Sequence, residues 1–222
     1  MGPPSTVDNL AHDLFYDSPY NGDVAVLLWL SCLFAVPYWE APPAKWTEQQ
    51  LIDLLSNSPW AQPALDSRRG TLAGPQVVLY LASAAPMRQA EDELLRRRFK
   101  QQPDLYAAIN DAREEYLAYL AENAGKFIVV AAPIDPQALA DAGETKRMID
   151  ESVLRIGKKK WKSTGHFPPT PSDPVLRLIF PREIPAGAKE ITVEVYLPSI
   201  AGPYRSAQFP VKDLILRGVP EL

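Results

Sequence analysis

Ser83 and His166 are the one serine–histidine pair in this chain placed so as to suggest nucleophilic catalysis. Ser83 closes the apolar run 76–83 (QVVLYLAS) just before Pro86, so it stands between a strand and a helix start. The G-x-S-x-G signature is absent, and His166 lies in a Pro-rich stretch. The same position suits a hydroxyl that hydrogen-bonds the helix start. Paired carboxylates occur at Glu91/Glu93, Glu114/Glu115 and Asp150/Glu151. Glycoside hydrolysis needs two such groups facing one cleft. These pairs fall in helix-favouring or connecting segments and read as solvated faces. The single cysteine, Cys32, and the two histidines, His12 and His166, form no ligand pattern of recognised spacing, and no Gly-rich phosphate loop is present. No catalytic, cofactor-binding or metal-binding residue is therefore assigned, and no cofactor is expected.

Two basic runs carry aromatics. One is Arg96-Arg97-Arg98-Phe99-Lys100. The other is Arg155-Ile156-Gly157-Lys158-Lys159-Lys160-Trp161-Lys162. Cations track phosphates and an indole stacks on a base or sits at a lipid interface. Arg155, Lys158, Lys159, Lys160, Trp161 and Lys162 are thus the candidate contacts for an anion or a partner. The plainer reading makes the first run a helix C-terminus and the second an exposed strand edge, where lysines deter edge pairing.

The elements that must position these groups are legible in part. The chain has 222 residues and a net charge of −4, with 46% hydrophobic and 23% charged residues, which fits a folded chain of one domain or two small ones. The 23 prolines force many turns and short elements. Residues 1–44 hold five acidic residues and no Lys or Arg, so the rest is close to neutral and whole-protein steering toward nucleic acid is not implied. Residues 24–36 (VAVLLWLSCLFAV) form a 13-residue apolar run, long enough for the centre of a secretory signal and too short to span a bilayer comfortably. Small residues near Ala35 and Ala41 could serve a signal peptidase, although a basic segment ahead of the run is missing. Cys32 stands in a faint lipoprotein-like context. The alternative is that 24–36 belongs to the core.

Thr47 with Gln50 makes a capping box, and Trp46 with Leu51 a hydrophobic staple, at the start of a helix that must end by Ser58 because Pro59 follows. Ser58-Pro59-Trp60-Ala61 packs the Trp60 indole inward, so Thr47, Gln50, Ser58, Pro59 and Trp60 form a structural signature. Residues 62–75 read as loop, or as hidden strands. Residues 76–83 predict a strand. Pro86 starts a helix with Met87, Ala90, Leu94 and Leu95 inward, and Pro103 starts another with Leu105, Ile109, Ala112, Tyr116, Tyr119 and Leu120 inward. Residues 126–132 predict a second strand, and Asp135-Pro136 a short helix ending at Gly143. Residues 144–156 can be helix or strand. Beyond 174 the pattern is β only, with clean alternation over 190–197.

The landmarks Trp46-Thr47…Ser58-Pro59-Trp60-Ala61, then 78–86 (VLYLASAAP), then 209–218 (FPVKDLILRG), resemble in order and spacing a family of uncharacterised, predicted exported bacterial proteins. The resemblance covers about 45–222. Members commonly carry an acidic residue before the Ser-Ala pair, where Ala82 stands here. The resemblance implies export and no activity.

The expected fold is α+β. Residues 1–44 are a leader outside the fold, 45–143 a small α/β layer (helix-strand-helix-helix-strand-helix), 144–174 a basic and Pro-rich connector, and 175–222 an antiparallel β region packed on the first part. The expected function is a non-enzymatic binding or structural module of the cell envelope, periplasmic or envelope-associated, with another envelope protein as the natural kind of partner and no transmembrane span. The alternatives are a small hydrolase using Ser83 or carboxylates, and a binder of nucleic acid or anionic lipid through 155–162.

Overall fold

The computed structural model describes residues 36–71 and 76–222. Its first helix, α1 (Glu48–Ser56), begins where the capping box sets it: Thr47 Oγ1 accepts from Gln50 N at 3.1 Å while Gln50 Oε1 accepts from Thr47 N at 2.8 Å. Trp46 and Leu51 are both buried. After the Ser58-Pro59 turn, β1 (Ala61–Pro63) and β2 (Leu65–Asp66) occupy the stretch read mainly as loop. Then come β3 (Val78–Leu81), α2 (Ala85–Arg98), α3 (Pro103–Glu122) and β4 (Phe127–Pro133). Pro86 and Pro103 both sit in first turns, where the missing N–H costs nothing. Two helical passes return the chain to the end of the sheet it left, so β4 runs antiparallel to β3 rather than parallel.

The short helix expected to end at Gly143 is instead a 3₁₀ turn, Pro136–Leu139, followed by a new helix, α4 (Ala142–Glu151). Asp141 makes the difference. Its Oδ1 accepts from Gly143 N at 2.6 Å and Glu144 N at 3.0 Å, so Gly143 opens a helix rather than closing one. The stretch 144–174, expected as connector, holds most of α4 and then β5 (Val153–Ile156), β6 (Lys159–Lys162) and β7 (Gly165–Phe167). The remaining elements are β8 (Val175–Pro181), β9 (Glu190–Tyr196), β10 (Tyr204–Pro210), β11 (Ile215–Leu216) and β12 (Val219–Pro220). The fold is α+β, with antiparallel strands towards the C-terminus.

Two five-stranded antiparallel sheets run β1-β3-β4-β8-β7 and β2-β10-β9-β5-β6. The outer chain segments are shared: β1 passes through Ala64 into β2, and β6 passes through Ser163-Thr164 into β7. Strands that change sheet make corners, and here they join the two sheets at both sides. Leu81, Val130 and Phe180 of the first sheet and Leu154, Val193 and Phe209 of the second belong to one buried cluster.

Tyr38–Leu222 forms one compact unit. Residues 38–44, expected with the leader, therefore belong to the fold. Aromatic packing explains the shift: Trp39 meets Trp60 edge-on at 5.7 Å, and Trp46 Nε1 donates to Tyr38 O at 2.8 Å. The apolar run 24–36 (apart from Val36), Cys32 and His12 lie outside the described residues. Among the described residues no helix is long and apolar enough to cross a membrane.

Candidate functional site

A single cross-strand row builds the site. Register places Ala61, Tyr80, Ala131, Arg177 and Phe167 side by side across the first sheet, on one face. The small Ala131 between Tyr80 and Arg177 leaves room above the sheet. Helices α2 and α3 cover that face, α2 through Glu91 and α3 through Arg113 and Tyr116.

The polar groups there are interlocked and almost out of water. Arg113 and Arg177 side chains are 1% and 3% exposed, and Glu91 is 10% exposed. Glu91 Oε1 accepts from Tyr80 OH at 2.6 Å and Glu91 Oε2 from Arg113 Nη2 at 2.8 Å, with Arg177 Nη2 at 3.5 Å. Arg113 Nη1 donates to Asp92 at 3.1 Å, and Arg177 Nη1 to Asp173 and to Val175 O. The Arg177 guanidinium also lies over the Tyr116 ring at 4.4 Å, and Tyr116 OH donates to Ala82 O at 3.0 Å. Burial, then the Glu91 charge, pushes both the Tyr80 and Tyr116 phenols above their ordinary range, so both remain donors at neutral pH. Burial alone would lower the basicity of Arg177. Glu91, Tyr80 and Asp173 outweigh it, and Arg177 stays charged.

This cluster floors a cleft of ≈ 440 Å³. Its walls are mainly apolar: Leu55 of α1, Leu94, Leu95 and Phe99 at the end of α2, and Ile109 of α3. Arg113 Nε and Arg177 Nε are buried, with no hydrogen-bond partner and no surface open to the cleft. The arrangement can hold a small, mainly apolar ligand.

The residues singled out in sequence lie elsewhere. Ser83 Oγ accepts from Val129 N at 3.1 Å and so ties the end of β3 to β4. His166 is on β7, separated from β3 by β4 and β8, roughly 14 Å at the usual strand spacing. The structure does not bring the two together. Burial lowers the basicity of His166. Glu91 and Glu93, read as a solvated pair, are both buried, because Arg113 and Tyr80 take up the first and Arg96 and Arg97 the second. Glu114 and Glu115 are exposed, Asp150 pairs with Lys146, and Glu151 pairs with Arg147. Among the described residues no three His, Cys, Asp or Glu gather as a metal site would require.

The basic run is divided by the β5–β6 hairpin. Arg155 faces Lys160 and Val153 faces Lys162 on one side, while Ile156 faces Lys159 and Leu154 faces Trp161 on the other. Lys158 is in the turn. Arg155 pairs with Glu194 at 2.8 Å, and Lys160 and Lys162 line a hollow with Asp150, Glu151 and Glu194. Carboxylates are thus interleaved with the cations. Thr47 and Gln50 cap α1, and Ser58 Oγ donates to Leu54 O at 2.7 Å. Pro59 occupies the turn. Trp60 is fully buried, with Nε1 donating to Glu221 O at 2.9 Å.

Arg113 and Arg177 escaped the sequence reading, yet each left a signal. Arg113 sits between Ile109 and Tyr116 at spacings of four and three on the apolar stripe of α3, while Ala112, expected inward, is exposed. Arg177 is the lone charge inside the apolar run 175–181 (VLRLIFP). No protein-family model, curated protein or solved structure matches the chain.

Proposed function

We propose that this chain is a non-enzymatic binding module of the bacterial cell envelope, exported through the segment ahead of Tyr38, and that the cleft between α1, α2 and α3 is its ligand site. The observation that carries the reading is the cleft itself, ≈ 440 Å³ and mainly apolar-walled. That volume is in the ~300–1,000 Å³ range of sites for small molecules. The non-enzymatic part rests on the use of Ser83, Glu91 and Glu93 in hydrogen bonds that hold the fold. Export rests on the apolar run 24–36, which ends just before the compact unit begins, and on the family resemblance.

Each half has its own test. An uncharged, polarity-sensitive fluorophore should brighten on the full chain, and Leu94→Trp, which fills the cleft from its half-buried wall, should abolish the signal. An undiminished signal in Leu94→Trp refutes the site. Intact mass of the protein recovered from fractionated cells should show an N-terminus between Asp23 and Tyr38 in an envelope fraction. A full-length cytoplasmic product refutes export.

A further inference from the structure

The second sheet ends in an exposed strand. β6 pairs with β5 on one side alone, and of the four strands that end the two sheets it is the longest and the most exposed. We infer that the free edge of β6 takes an extended acidic segment of a partner protein as an added strand, with carboxylates at alternate positions seated beside Lys160 and Lys162. None of these residues lines the cleft between the helices, so this surface and the cleft stand or fall separately.

Three observations carry this. The first is backbone direction. Ser163 N donates to Ser152 O at 3.2 Å, and the hairpin closes through Gly157-Lys158 with Ile156 opposite Lys159. Successive residues of an antiparallel strand turn N–H and C=O to opposite sides. Lys159, Trp161 and Ser163 therefore face β5, while Lys160 and Lys162 turn both backbone groups outward, as an added strand requires. The second is charge. Each carboxylate beside the hairpin is already committed to another cation: Asp150 to Lys146, Glu151 to Arg147 at 2.9 Å and Glu194 to Arg155 at 2.8 Å. Lys158, Lys159, Lys160 and Lys162 make no ion pair among the described residues. The third is spacing. The Lys160 and Lys162 side chains share one face, roughly 7 Å apart at the usual strand rise. Trp161 lies between them on the other face, half-buried, with Lys159 Nζ 6.0 Å from its ring centroid. A segment reading acidic–apolar–acidic sets a carboxylate opposite each lysine and its apolar residue opposite Trp161. The same lysines exclude a second copy of this edge, which would bring like charges face to face. A nucleic acid or a lipid phosphate supplies acceptors to the lysines but no strand for the outward backbone groups.

The test is fluorescence anisotropy of the full chain with a labelled peptide Val-Glu-Val-Glu-Val-Glu-Val, joined to residue-resolved amide hydrogen exchange. The peptide is expected to bind one per chain and to slow exchange at the Lys160 and Lys162 amides. The glutamine version should bind about five-fold or more weakly, since the opposite-charge pairs across the strands are lost. Lys160→Glu with Lys162→Glu, both at exposed positions, should weaken the glutamate peptide by about ten-fold or more. Circular dichroism checks that the variant is folded. No binding of the glutamate peptide, or equal binding of the glutamine version, overturns the proposal. Binding without slowed exchange at Lys160 and Lys162 overturns strand addition. Tighter binding of a single-stranded oligothymidylate or of phosphatidylglycerol vesicles, lost in the double variant, overturns it in favour of a phosphate surface.

Discussion

Replacing Glu91 by Gln removes the charge that holds two buried guanidinia. The carboxylate accepts from Tyr80 OH at 2.6 Å and Arg113 Nη2 at 2.8 Å, and lies 3.5 Å from Arg177 Nη2. Its partners' side chains are 1% and 3% exposed, so water screens the interaction little. Removing one member of a buried ion pair costs roughly 3–5 kcal/mol, because the other charge is left uncompensated. The amide keeps one acceptor oxygen, which puts Glu91→Gln near the lower end, about 3 kcal/mol. At ~2–4 °C per kcal/mol for a chain of this size, the Tm should fall by roughly 6–12 °C. Urea unfolding followed by circular dichroism gives the free energy, and calorimetry gives the Tm. Glu114→Gln, on the exposed face of α3, is the control and should stay within about 0.5 kcal/mol of the parent. Replacing Glu91 and Arg113 together by Met should cost less than the two single losses added, since no lone charge remains between them. A loss below about 1 kcal/mol for Glu91→Gln would refute the claim that the cluster is sequestered from water.

Other outcomes follow from separate parts of the fold. Gly202→Ala should destabilise by more than ~1 kcal/mol in urea unfolding, because its φ is +66° and a Cβ would stand 2.6 Å from Asp66 Oδ2. Glu221→Ala should cost about 1 kcal/mol, since Ala84 cannot cap α2 and Glu221 Oε1 accepts from Ala85 N at 2.7 Å instead; an unchanged midpoint would contradict this long-range cap. Hydrogen bonds from Arg96, and then Arg97, hold the Glu93 carboxyl below its ordinary value of 4.5. The stability it confers is therefore present above that value and lost as pH falls through the lower folded-state value. The gap between parent and Glu93→Gln should narrow on acidification below about pH 4.5, and a gap that widens there would contradict the pairing.

Local chemistry was the readable part of the sequence. Thr47 with Gln50, Pro86, Pro103 and the alternation of Ile191, Val193 and Val195 each act within a few residues, and each is where the pattern put it. Asp141 is hard to see in sequence because Asp135-Pro136 offers an equally good start six residues earlier, and both aspartates do cap, the first a 3₁₀ turn and the second the helix. The cleft was not readable, because it depends on register. Arg177 reaches Glu91 only because β8 pairs with β4 and β4 with β3, which sets Arg177, Ala131 and Tyr80 in one row. Charged side chains were also read as solvated by default. Arg113 on the α3 stripe and Glu91 behind Met87 and Ala90 broke that rule together, and neither alone distinguishes a buried pair from a surface one.

The binding claim meets its most direct test in amide chemical-shift mapping of the full chain titrated with the uncharged, polarity-sensitive fluorophore. Saturable shifts should gather on α2, α3 and the segment from Ser172 to Arg177 around the cleft. Shifts concentrated on 155–162, or no saturable shifts at all, would contradict it.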